Sequence, residues 1–139
     1  MDILNDKIIL NKLKKIAKEY DLSLFILFGS RAKKKFNEKS DYDFGFIPNK
    51  EFIAKDEIEL FNEIMSILGT EKIDLINIKR NYDVKLRYEI FFGGVLIYEK
   101  YKHLFSKLKF KSYLEYIDFK KFSKNRLEYL KKNVSELKV

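Results

Sequence analysis

Cysteine is absent from this 139-residue chain, histidine occurs once and proline once. Without cysteine there is no disulfide framework and no thiolate metal site, and His103 alone gives no imidazole cluster. Chemistry then falls to carboxylates. No apolar run nears the roughly 20 residues needed to cross a bilayer. The start, Met1-Asp2-Ile3-Leu4-Asn5-Asp6, has neither the basic n-region nor the apolar h-region of a secretory leader. A cytoplasmic protein is expected. Internal repeats, low-complexity tracts and linkers are missing too, so a single domain over residues 1–139 is expected, with 46% hydrophobic residues to close its core. The net charge of +8 suits polyanionic partners such as nucleotides, RNA or an acidic protein, although spread lysines also serve solubility alone.

The chain is organised around Leu24-Phe25-Ile26-Leu27-Phe28-Gly29-Ser30-Arg31. An uninterrupted apolar run ending in Gly-Ser reads as a buried strand that delivers a tight turn into a helix start. Unpaired backbone N–H groups at such a turn attract anions, and glycine lets a phosphate approach them. Farther on, Ser40-Asp41-Tyr42-Asp43-Phe44-Gly45-Phe46 reads as a strand whose period of two puts Asp41 and Asp43 on one face and Tyr42, Phe44 and Phe46 on the other. Taken alone, Asp-x-Asp is most often a solvated strand edge. After a Gly-Ser turn it reads as a place for divalent cations.

Along the rest of the chain, Ile9, Leu13, Ile16, Ala17 and Tyr20 predict an amphipathic helix from about Asn5. A short helix is expected over Arg31 to Lys35 and a loop over Asn37 to Ser40. Pro48-Asn49 should break the Asp41 strand; a second amphipathic helix from about Ile53 to Leu68 should be capped by Gly69. Ile73-Asp74-Leu75-Ile76-Asn77-Ile78 predicts a strand with Asp74 buried in an apolar run, a costly position that calls for a cation. Asn81 is expected to cap a third helix carrying Leu86 and Ile90, ended by Gly93-Gly94 before the strand Val95-Leu96-Ile97-Tyr98. Residues 99–132 form a helical C-terminal region, and the last few residues are expected to fray. The fold class is therefore α/β (α+β): a small mixed sheet of about four strands packed with helices.

Gly29-Ser30-x-Ala32, Ser40-Asp41-x-Asp43 and Asp74 on a later strand resemble the signature of the DNA polymerase beta-type nucleotidyltransferase superfamily. The segment from Arg87 to Glu99 and the short length resemble its minimal nucleotidyltransferase (MNT) branch, which includes MntA-like antitoxins paired with HEPN ribonuclease toxins. The resemblance spans roughly residues 5 to 130. It implies the polymerase beta-like palm fold and a magnesium-dependent transfer of AMP from ATP, with two Mg2+ ions. It also implies roles: Gly29 and Ser30 hold the triphosphate, with Arg31 and Ser40 as further nucleotide-binding residues. Asp41 and Asp43 bind the metals, and Asp74 completes the site of the ion that activates the attacking hydroxyl. The acceptor implied is a tyrosine of a cognate HEPN toxin, in a type VII-like toxin–antitoxin pair.

Where relatives usually carry a glycine two residues after the alanine, this chain has Lys34. Lysine takes up positive φ less readily, and two readings stay open: a local backbone that differs from the glycine pattern, or an ammonium that meets a phosphate. Two readings of Arg31 and Arg87 stay open, phosphate contact or pairing with acids. Leu104, Phe105 and Leu108 are expected to pack on the sheet. Phe110, Tyr113, Tyr116, Phe119 and Phe122, interleaved with lysines, exceed what one core stripe needs and suggest an interface for a toxin or a second copy. Two rival functions remain, an antitoxin that only sequesters its toxin and a transferase acting on a small molecule or an RNA end.

Overall fold

A computed structural model describes residues 2–137. Asp6 opens the first helix, α1 (Lys7–Glu19), its carboxylate accepting from the N–H groups of Ile8 and Ile9. This cap satisfies two of the donors a helix start leaves unpaired. Strand β1 (Leu22–Phe28) follows, buried at all seven positions. The short α2 (Gly29–Ala32) comes directly from its end. Then come β2 (Tyr42–Pro48), α3 (Ala54–Leu68), β3 (Ile73–Asn77), α4 (Val84–Gly93), β4 (Val95–Glu99) and the long α5 (Leu104–Leu137).

The sheet has the order β3-β2-β1-β4, with β1 antiparallel to both β2 and β4 and β2 parallel to β3. An inner strand covered on both faces must be apolar throughout, which is why β1 shows no alternation. On one face Phe25, Phe44 and Phe46 pack with Leu13 and Ile16 of α1 and Leu60 and Ile64 of α3. Phe25 and Phe44 stack there with ring centroids 5.2 Å apart. On the other face Leu24, Ile26 and Phe28 meet Ile90 and Phe91 of α4, with Leu104, Phe105 and Leu108 of α5 against them as expected. A register shift between Leu22 and Leu24 places Leu22 on the same side as Phe25.

The mixed four-stranded sheet matches the expected fold class, and Gly69 closes α3 in the left-handed conformation at φ 69°. Three local expectations are corrected. The short helix begins at Gly29 and ends at Ala32, earlier than Arg31 to Lys35. The cap of α4 is Asp83, which accepts from the N–H groups of Lys85 and Leu86; Asn81 instead accepts from the Asp83 N–H, two residues upstream. Helix α5 extends past Lys132 to Leu137, and residues 118–132 are all exposed. The expected fraying of the last residues lies outside the described residues. No helix among these is long and apolar enough to cross a membrane.

Candidate active site

Residues Gly29 and Asp43 meet where β1 turns into α2. Phe28, the last residue of β1, stands opposite Asp43 in β2. Gly29 follows at φ 72°, a left-handed conformation that L side chains rarely adopt. A Cβ on Gly29 would land on the Asp43 Oδ2 and lie 3.1 Å from its Cγ. The turn is thus glycine for two reasons, its dihedral and the carboxylate pressed against it.

Asp43 also pairs in register with Asp74 across the parallel β2–β3 ladder. The two share a face, since Gly45 and Ile47 alternate with Asp43 as Ile76 does with Asp74. Asp41 lies one residue before β2, exposed, and Asp74 is exposed on the sheet's outer strand. The sequence reading therefore singled out the wrong aspartate as buried. The run around Asp74 is apolar, but β3 is an edge strand, and its outer side leaves the carboxylate in solvent. The half-buried carboxylate is Asp43, pushed up from its ordinary 3.8 to about 6 by burial first, then by the charges of Asp74 and Asp41. Among the described residues no three carboxylate or imidazole groups converge closely enough to hold a metal ion by themselves.

Ser30 opens α2 beside Gly29, and its carbonyl accepts from the Lys35 N–H. Lys34, between them, sits at φ 58°. The lysine thus takes the left-handed conformation glycine would favour. Its ammonium lies 3.7 Å from Asp2 at the surface. Left-handed backbone costs a residue with a Cβ about 1–2 kcal/mol, and an exposed ion pair is worth little. Lys34→Gly is expected to stabilise the protein by about 1 kcal/mol, read as a rise in Tm with unchanged nucleotide binding; a fall in Tm would contradict this reading of the turn.

The remaining site residues are placed as follows. Ser40 uses its hydroxyl locally, accepting from the Asn37 N–H at 3.1 Å. Arg31 is only 4% exposed, beneath the loop that leads to Asp41. Arg87 lies 3.9 Å from Glu115, tying α4 to α5, which favours its acid-pairing reading over phosphate contact. His103 is exposed just before α5. The sequence reading overlooked Phe36, whose ring packs on the Arg31 guanidinium; an aromatic between two polar loop segments was the one available signal.

A mixed four-stranded sheet, with a glycine turn packed on an aspartate that pairs with a second aspartate on the adjacent strand, is the arrangement of a nucleotidyltransferase. The family model for polymerase beta nucleotidyltransferases matches residues 11–103, and the chain belongs to that family. Several solved structures share the fold. One, a toxin–antitoxin crystal structure with AMP-PNP, superposes with a TM-score of 0.72 at 18% identity, covering 87% of this chain and 97% of the other. A second is a rebuilt and re-refined tri-AMPylated Shewanella oneidensis HEPN toxin in complex with MNT antitoxin, with a TM-score of 0.67 at 17% identity, covering 89% and 97%. The MntA–HepT toxin–antitoxin gives 0.68 at 16% identity, covering 90% and 98%. No curated protein matches the sequence.

Proposed function

We propose that this chain, acting as one minimal nucleotidyltransferase unit, moves AMP from ATP to a tyrosine hydroxyl of a partner HEPN toxin and thereby serves as its antitoxin. The observation that carries the reading is Asp43, half-buried under the Gly29 turn and facing two like charges. Concentrated negative charge of this kind calls for cations. The donor set fits magnesium, which prefers oxygen ligands and is commonly held by one or two carboxylates with phosphate oxygens and water completing the octahedron. A ready-made cage of three carboxylates is not required. Asp41 and Asp43 would hold the metal ions, with Asp74 turned to the one nearest the acceptor. Bound there, magnesium supplies charge neutralisation for the departing pyrophosphate and lowers the pKa of the attacking hydroxyl.

The chain's own part is positional. Gly29 and Ser30 present a turn to the triphosphate, Ser40 shapes the loop before Asp41, and the sheet sets the carboxylates in register. The AMP-PNP and tri-AMPylated toxin complexes support AMP as the transferred group and a toxin as acceptor. The test is intact mass after incubation with ATP, magnesium and the co-purified partner, beside an Asp41→Ala, Asp43→Ala double variant. One or more AMP units on the partner, absent with the variant, support transfer. A complex that forms without any gain of mass favours the sequestering reading.

Helix α5 supports the docking half of this reading. Phe122 is 64% exposed and Leu127 53%, flanked by Lys120, Lys121, Lys124 and Arg126 on a stretch exposed at every position from 118 to 132. Apolar side chains rimmed by mainly basic charge, with Asp118 and Glu128 the acids among them, suit a partner groove edged with acids. Phe122→Ser with Leu127→Ser is expected to leave Tm unchanged, because exposed substitutions shift stability by only about 0.5 kcal/mol. Affinity for the partner should fall by about tenfold or more. An unchanged affinity, measured by calorimetry, would remove α5 from the interface.

A further inference from the structure

A buried guanidinium is costly unless its donors are satisfied, so its placement in a fold this small needs a cause. Arg31 comes two residues after Gly29, yet it points inward beneath the loop. Its Nη2 donates to the Ser40 carbonyl at 3.1 Å, with Nε at 3.4 Å from the same oxygen. Its planar head lies between two rings, 4.3 Å from the centroid of Phe36 and 4.1 Å from that of Tyr42. Only a flat, delocalised cation both stacks on two aromatic faces and reaches one carbonyl edge-on.

The Ser40 carbonyl and the Asp41 N–H belong to one rigid peptide plane. Fixing that oxygen sets the direction from which Asp41 departs. On the far side, the Tyr42 N–H donates to the Lys72 carbonyl, just before β3 and Asp74. The loop itself is a tight construction: Ser40 N–H donates to the Asn37 carbonyl and Lys39 N–H to the Asn37 side chain. Arg31 links this loop to the turn at Gly29 and Ser30, together with the Lys35 N–H that donates to the Ser30 carbonyl.

We propose that Arg31 is a positioning residue of the nucleotide site, its sandwiched guanidinium holding the Ser40–Asp41 peptide in register with the Gly29–Ser30 turn rather than binding phosphate. This rests on the proposed metal–nucleotide site and names a residue that builds it. Supporting groups behind a metal site typically change metal affinity by about 10- to 100-fold when removed. Lysine keeps the charge but neither the plane nor the fork, so it should fail nearly as badly as a neutral side chain.

The test uses Mn2+ as probe, its binding to the full chain read by electron paramagnetic resonance with ATP present, in wild type, Arg31→Lys, Arg31→Met, Phe36→Leu and Asp43→Asn. Both Arg31 variants should lose about tenfold or more in Mn2+ affinity, with Phe36→Leu between them and wild type. ATP affinity without metal should stay unchanged in the Arg31 and Phe36 variants. Hydrogen exchange of the amides of residues 37–42 should quicken in the Arg31 variants while α1 and α3 stay protected. Full Mn2+ affinity in Arg31→Lys overturns the proposal. So does a metal-free ATP affinity lost in Arg31→Met and restored in Arg31→Lys, which marks a phosphate contact. If wild type and Asp43→Asn bind Mn2+ equally, the metal site itself falls, and quickened exchange would then leave Arg31 bracing the loop alone.

Discussion

Asp43→Asn should abolish AMP transfer and at the same time stabilise the metal-free protein. Loss of transfer follows if the carboxylate holds a cation, since charge stabilisation worth several kcal/mol disappears and the rate falls by roughly a thousandfold or more. The gain in stability follows from the position of Asp43 whatever its role. Its carboxyl is pushed up from 3.8 to about 6 by burial and by the charges of Asp74 and Asp41. In the folded state the ionised form is therefore disfavoured, by about 1–2 kcal/mol once partial solvent exposure is discounted. The native protein binds the extra proton between pH 3.8 and about 6, so in this window the contribution of Asp43 to stability falls as pH rises. Below 3.8 the penalty is gone; above about 6 it is complete. The difference in Tm between Asp43→Asn and wild type should thus be largest at pH 7 and vanish toward pH 4. A variant less stable than wild type at pH 7 would mean that Asp43 is relieved by a partner within the fold.

Gly29→Ala is the second large effect. The left-handed φ of 72° costs an alanine about 1–2 kcal/mol by itself, and the new methyl would be forced onto the Asp43 carboxylate. A destabilisation of roughly 2–4 kcal/mol is expected, with activity lost because relief of the clash moves either the turn or the aspartate. Gly69 provides the control, with φ 69° and open space where its Cβ would stand. Gly69→Ala should therefore show the backbone cost alone, about 1–2 kcal/mol, and leave activity intact. The steric part of the Gly29 effect should largely be relieved when Asp43 is also changed to alanine, a coupling that a double-mutant cycle by chemical denaturation measures. Equal destabilisation by the two glycine variants would contradict the close packing of turn on carboxylate.

Strands and helices were legible because their signals are local. An apolar run with no polar residue from Leu24 to Phe28 has few homes other than the middle of a covered sheet, and Gly69 after a helical stripe has one obvious use. The errors arose where distant parts of the chain decide. Asp74 sits among isoleucines and leucines, yet its burial depends on what the rest of the fold places over and beside β3, which is the edge strand among the described residues. Asn81 and Asp83 carry the same capping chemistry two residues apart, and the end of β3 and the turn after it determine which one starts α4. Lysine at position 34 goes against the local preference for φ, but closing the turn between Ser30 and Asp41 overrides a cost of about 1–2 kcal/mol. Arg31 was legible only as a cation near a phosphate turn. The inward path of its side chain depends on rings five and eleven positions away, which no spacing rule brings together.

Central to the proposed function is that the crowded carboxylates around Asp43 await a metal-bound nucleotide. The most direct measurement is the pH titration of the Asp43 carboxyl carbon by NMR, in the protein alone and with magnesium and a non-hydrolysable ATP analogue. Alone, the midpoint is expected near 6, held there by burial and by Asp74 and Asp41. With magnesium and nucleotide it should drop below the ordinary carboxylate value, because a bound cation favours the ionised form. A midpoint that stays near 6 while the analogue binds would contradict it, since Asp43 would then take no part in holding the metal.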